Sequence, residues 1–131
     1  MNPAVVATEH IKAPPEVVFP YFTDPTLIAT WLCERAELDP RPGGVFALDM
    51  GKVSAHGAYL VVEPPHRLVF SWGIPGDAVL PAGGSTVEVV LTPDGDDTLV
   101  VLTHRGLPAD RLDSHRAGWG RRLGQLGASV H

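Results

Sequence analysis

The chain has 131 residues, a formal net charge of −5 and 44% hydrophobic residues, a length that suits one domain burying roughly 65–70% of its unfolded surface. The acidic balance, with no basic cluster beyond Arg116, Arg121 and Arg122, lacks the electrostatic footprint of a nucleic-acid binder. No stretch approaches the ~18 apolar residues of a membrane span, and Met1 to Val6 has no basic flank of a signal peptide, so a cytoplasmic location is the expectation.

Val5 to Ile11 reads as a first strand, stopped by Pro14-Pro15 because proline cannot extend a ladder. Pro15 suits the first turn of a helix carrying Val17, Val18, Phe19, Tyr21 and Phe22, which Pro20 must kink or cut short. Asp24 and Pro25 are an N-cap and first-turn pair for a second short helix with Leu27, Ile28 and Trp31. A strand over Arg35 to Leu38 leads into the Pro40 to Gly44 turn, and the next segment has the cleanest period of two in the chain. It sets Phe46, Leu48 and Met50 against Val45, Ala47 and Asp49.

Ala55 to Glu63 and Leu68 to Trp72 form a hairpin around Pro64-Pro65-His66-Arg67. The first of these strands is too uniformly apolar to fix its phase, and Tyr59 and Val61 are expected to share its inner face. Gly73 to Gly84 reads as a long, mobile loop. Thr86 to Thr92 alternates again and turns through Pro93 to Asp97 into Thr98 to His104. From Pro108 to about Ser129 a final helix sets Leu112, His115, Trp119, Leu123 and Leu126 at spacings of three and four. Gly118, Gly120, Gly124 and Gly127 interrupt it, each at ~1 kcal/mol relative to alanine, which suggests close backbone packing or space left beside the helix.

The order is strand, two short helices, six strands and a long helix. With Trp31, Arg41-Pro42-Gly43-Gly44-Val45-Phe46, Pro64-Pro65-His66-Arg67-Leu68-Val69-Phe70-Ser71-Trp72 and His115-Arg116-Ala117-Gly118-Trp119, it resembles the Hsp90-ATPase-activator-homologue (AHSA1-like) family of the START/Bet v 1-like SRPBCC superfamily. The resemblance covers nearly the whole chain. It implies an α+β helix-grip fold: a curved seven-stranded antiparallel sheet, two short helices and a long C-terminal helix, often with an apolar cavity between sheet and helix. It also raises Hsp90 as a partner. In the eukaryotic cochaperone a separate N-terminal domain supplies much of that contact, and 131 residues leave no room for one, so this partnership is doubtful.

Many members of the superfamily bind hydrophobic small molecules, and such a molecule is the expected partner. The ligand-binding candidates are Phe46, Leu48, Met50, Tyr59, Phe70, Trp72, Val89, Trp119 and Leu123, each otherwise a core residue, with the polar His104 and His115. A cyclase, dehydratase or hydrolase acting on a polyketide-like or aromatic substrate would need at least two convergent polar groups from among His104, His115 and Tyr59. A protein-interaction module would need an exposed apolar patch instead. No catalytic constellation can be assembled, and neither metal nor cofactor is expected. No histidine pair has zinc-ligand spacing, the acidic turn near Asp94 lacks a calcium loop's pattern, and Cys33 has no activating neighbour in sequence.

Overall fold

The structure, a computed structural model, describes residues 4–130. Met1 to Pro3, the start of the stretch read above for a signal peptide, and His131 lie outside the described residues. The strands are β1 (Val5–Ile11), β2 (Arg35–Leu38), β3 (Val45–Asp49), β4 (Ser54–Glu63), β5 (Arg67–Trp72), β6 (Ser85–Asp94) and β7 (Asp97–Arg105). They form one antiparallel sheet in the order β1-β7-β6-β5-β4-β3-β2. The helices are α1 (Pro15–Val18), α2 (Pro25–Ile28) and α3 (Leu112–Ser129), and α3 packs along β1. This is the helix-grip arrangement that the resemblance implied.

Proline and aspartate set the short elements as the sequence requires. Pro20 ends α1 after one turn, and Phe19–Phe22 continues as a 3-10 turn. Asp24 accepts from the backbone N–H groups of Thr26 and Leu27, capping α2. The exposed carbonyls of the 3-10 turn are taken by side chains: Trp31 Nε1 donates to Tyr21 O at 2.9 Å, and the buried Tyr59 hydroxyl donates to Phe22 O at 2.8 Å. The predicted start of the last helix at Pro108 is instead a 3-10 turn, Ala109–Arg111, with α3 beginning at Leu112.

Alternation in β3 puts Phe46 and Leu48 in the core, while Met50 lies just past the strand and is half-buried. The ambiguous strand, β4, changes phase within its own length. Ala55 and Tyr59 point inward, the register then shifts between Tyr59 and Val61, and Val62 takes the place opposite the buried Leu68. Leu60 is the extra, exposed residue of this bulge. Val61 therefore pairs with Val69 and does not share the inner face with Tyr59, which corrects the expectation for that strand. Gly57 sits where β4 passes so close to β5 that a Cβ would collide with the Ser71 carbonyl.

The loop from Gly73 to Gly84 is pinned rather than loose. Leu80 is fully buried, Ile74 N donates to Leu80 O, and Gly83 N donates to His56 O. Asp77 caps Val79 and Leu80 and forms a 2.8 Å ion pair with Arg111 ahead of α3.

Leu48 is 1% exposed, whereas Asp49 on the opposite face meets solvent, Arg35 and the Gly51 backbone. Leu48→Asp should then cost several kcal/mol by burying a carboxylate in an apolar core. Asp49→Ala should cost far less. Urea melts of the two variants check the strand face, and equal losses would show it reversed.

Candidate functional site

The inner face of the sheet is filled unevenly. Phe46 stacks on Phe70 with ring centroids 4.1 Å apart, and Tyr59 meets Phe46 edge-on at 5.4 Å. These rings close the middle of the grip. Beyond them, where β3 gives way to the Met50 to Val53 turn, Trp72 at the end of β5 meets Trp119 of the helix with ring centroids 5.2 Å apart, and beside this pair a cavity of 190 Å³ remains, partly open to solvent.

Its walls come from four places. The β3–β4 turn and the start of β4 give Met50, Val53, Ser54 and Ala55; the end of β5 and the following loop give Trp72 and Ile74; Leu32 enters from the segment after α2. The first half of α3 supplies Ser114, His115, Gly118, Trp119, Arg121 and Arg122. Those helix positions follow from helical spacing: His115, Gly118, Trp119 and Arg122 fall on one side over two turns. A Cβ placed on Gly118 would meet nothing within 4 Å, so this glycine leaves room in the cavity wall. Gly120 and Gly124 also have open space around them but are exposed, and Gly127 packs against the Glu9 carboxylate.

A chain of hydrogen bonds backs the cavity. Ser85 Oγ donates to Trp72 O at 2.6 Å and so accepts from His104 Nε2 at 2.7 Å; Trp119 Nε1 donates to His104 Nδ1 at 2.9 Å. His104 is thus a neutral imidazole protonated on Nε2, fully buried, with both nitrogens used. Burial, with a smaller contribution from neighbouring His115, pushes its pKa down to about 3. His115 stands over it at 5.3 Å between ring centroids. Its Nδ1 donates to the Arg111 carbonyl at 2.9 Å, which leaves Nε2 as the lone pair. Burial lowers its pKa as well, against the opposing pull of that hydrogen bond. Trp72, only 5% exposed, buries its indole N–H with no partner among the described residues.

Of the residues expected to bind a ligand, Met50, Trp72, His115 and Trp119 meet on this cavity. Phe46, Leu48, Tyr59, Phe70, Val89 and Leu123 lie in the packed core away from its wall, and His104 stands behind it. Tyr59 is committed to the Phe22 carbonyl, and burial raises its pKa. Gly118, singled out in the sequence with three other glycines for space beside the helix, is the one of them that borders the cavity, whereas Leu32, Val53, Ser54, Ala55, Ile74, Ser114, Arg121 and Arg122 were not expected there. A signal for Arg122 was present in the sequence, since it stands seven residues from His115 on the same helical face. Cys33 is buried, and burial raises its thiol to about 11, so it stays protonated and unreactive near neutrality. Among the described residues no group of His, Cys, Asp and Glu is placed to hold a metal, and no helix is long and apolar enough to cross a membrane.

A family model described as "Activator of Hsp90 ATPase homolog 1-like protein" matches residues 12–131. No protein of curated function matches the chain. Among solved structures, an AHSA1-like protein from Rhizobium etli is 38% identical, with a TM-score of 0.77 over 99% of this chain and 83% of its own. CalU16 from Micromonospora echinospora is 33% identical, with a TM-score of 0.81 over 96% of this chain and 73% of its own. An HSP90 activator from Plasmodium falciparum is 26% identical, with a TM-score of 0.77 over 95% of this chain and 94% of its own.

His104 makes the fold sensitive to acid. Its native pKa of about 3 lies below the ordinary 6.5, so between those values the unfolded chain holds a proton that the native protein does not. The stability that neutral His104 contributes is complete above about pH 6.5 and is lost as pH falls toward 3, at up to ~1.4 kcal/mol per pH unit. Urea melts between pH 7 and pH 5, above the range where carboxylates titrate, should show this slope in the wild type and a shallower one in His104→Gln.

Proposed function

The chain belongs to the Activator of Hsp90 ATPase homolog 1-like family, and on that premise we propose that it binds a small apolar or amphipathic molecule in the cavity beneath the first half of α3. The observation that carries this reading is the cavity itself: 190 Å³ bordered by Trp72, Trp119, Met50 and Ile74, with Gly118 where a larger side chain would fill it. An apolar cavity of about 150 Å³ accepts benzene, so this one suits a body of about one ring, with any longer substituent leaving by the open side. A multi-ring substrate would not fit without movement of the walls.

Binding is better supported than acid–base chemistry. Of the three polar candidates, His104 has spent both ring nitrogens and the Tyr59 hydroxyl is donated to Phe22, so His115 is the only one of the three with a ring nitrogen left to take or give a proton. A single imidazole can orient a ligand by accepting one hydrogen bond, whereas the cyclase or hydrolase reading needs a second convergent group. The likeness to the Plasmodium protein supports a chaperone-linked reading. Against it, the exposed large hydrophobic residues, among them Val6, Val17, Leu60, Val79 and Leu99, sit singly on different elements.

Trp72 and Trp119 make the cavity its own reporter. Para-nitrobenzyl alcohol, a neutral quenching probe of about one ring, should quench tryptophan fluorescence saturably in the wild type. Gly118→Leu should abolish saturable quenching while keeping or raising stability, since it fills open space and removes a helix-interior glycine worth ~1 kcal/mol. Gly120→Ala, on the exposed side, should raise stability and leave quenching intact. Saturable quenching that survives Gly118→Leu would place the probe elsewhere and overturn the reading.

A further inference from the structure

We infer that the ligand of this cavity is an organic anion, a flat apolar body carrying a carboxylate or an equivalent acid group that Arg121 and Arg122 receive. The inference rests on the binding reading above and adds the charge and orientation of what is bound.

The arginines of this protein divide sharply. Arg35, Arg41, Arg67, Arg105, Arg111 and Arg116 are each within ion-pair distance of an aspartate or glutamate. Arg121 and Arg122 have no such partner among the described residues, and both border the cavity. In a chain of net charge −5, acidic partners are in excess, so two adjacent unpaired guanidinium groups stand out. No aspartate or glutamate lines the cavity. Of the acidic side chains on flanking elements, Asp49 pairs with Arg35, Asp77 with Arg111 and Asp113 with Arg116, while Glu34 lies against Gly51 and is within ion-pair distance of neither Arg121 nor Arg122.

The donors at the site are also underused. Arg122 makes only long bonds, 3.4 Å to the Trp31 carbonyl and 3.5 Å to Gln125 Oε1, which leaves most of its five N–H groups for another acceptor. Trp72, on the opposite wall, buries an indole N–H that has no partner among the described residues. A planar acid matches a guanidinium fork by two parallel hydrogen bonds. The apolar walls beside it lower the local dielectric and strengthen the attraction over that of an exposed pair. The arrangement is therefore graded, with aromatic and aliphatic surface on the inside and cationic donors on the helix face that borders it.

A matched pair of probes separates this inference from the reading it rests on. Para-nitrophenylpropionate and para-nitrophenylpropionamide differ in charge and hardly in shape, and both quench tryptophan. In the wild type at low salt the acid should bind at least tenfold more tightly than the amide. Most of that advantage should disappear at 1 M salt, where the screening length falls to about 3 Å. Arg121→Gln and Arg122→Gln, singly and together, should weaken binding of the acid at least fivefold more than binding of the amide, and the saturable amide binding that remains reports that the variants are folded. Equal affinities for acid and amide in the wild type, or an acid preference that survives in the double variant, would overturn the anion inference and leave the cavity reading standing. Binding of neither probe would remove both.

Discussion

Among the hydrogen bonds that tie α3 to the rest of the fold, the one from Trp119 Nε1 to His104 Nδ1 lies inside the apolar core and constrains the helix most. Hydrophobic contact alone is non-directional and would let the helix slide or rotate on the sheet. A single donor and a single acceptor, both buried, forbid that, because breaking the pair leaves two unsatisfied polar groups away from water. The bond exists only in one tautomer of His104, and that tautomer is fixed in turn by Ser85, whose hydroxyl donates to the Trp72 carbonyl. The chain from helix to β7 to β6 to β5 is fully satisfied, which is the condition under which a buried polar network specifies geometry rather than weakening the core. Its cost is the inability of His104 to accept a proton without losing its contact with Trp119.

Once α3 is held there, the shape of the remaining space follows from the side chains that face it. In the middle of the grip Phe46, Phe70 and Tyr59 pack ring on ring, while Trp119, Leu123 and Leu126 are buried on the helix side. Nearer the start of α3, beside the Trp72–Trp119 pair, the turn after β3 and the start of β4 offer Met50, Ser54 and Ala55, and the helix offers Gly118. Small residues on both sides of a fixed gap leave a void, and the clamp prevents the helix from settling to close it. The cavity is thus a consequence of a rigid separation combined with a local shortage of volume.

Much of this architecture was legible in the sequence, because its signals are local. Alternation placed β1, β2, β3 and β5 within a residue or two, Asp24-Pro25 announced the cap of α2, and Pro20 broke α1 where expected. The failures have physical reasons too. In β4 the inward residues are Ala55, Tyr59 and Val62, a series that no constant period describes, since a bulge at Leu60 resets the phase. The cavity wall was harder still. Phe46, Phe70 and Leu123 carry the same hydrophobic signal as Trp72 and Met50, and only packing in three dimensions decides which of them has an empty neighbour. His104 was noticed as a polar residue on an apolar strand. That its two nitrogens would be taken by Ser85 and Trp119 depends on pairings across β6 and α3 that no local pattern encodes.

The two sides of the cavity are held by different forces, and this bears on which side can move. The inner side is core: Trp119, Trp72 and Leu32 are almost completely buried, and displacing them would expose the aromatic cluster. The outer side depends on polar contacts closer to solvent. The loop that carries Ile74 is joined to the approach of α3 by the Asp77–Arg111 ion pair, and the Arg111 carbonyl is in turn the acceptor for His115. Partly exposed ion pairs contribute little to stability compared with burial of large side chains, so opening on this side costs less than displacing the buried inner wall. Leu80, buried at the far end of the same loop, limits the excursion by keeping its base on the core. A ligand larger than the resting volume would therefore enter between Ile74 and the first turn of α3, and would do so without disturbing the Trp119 to His104 bond on which the rest of the fold depends.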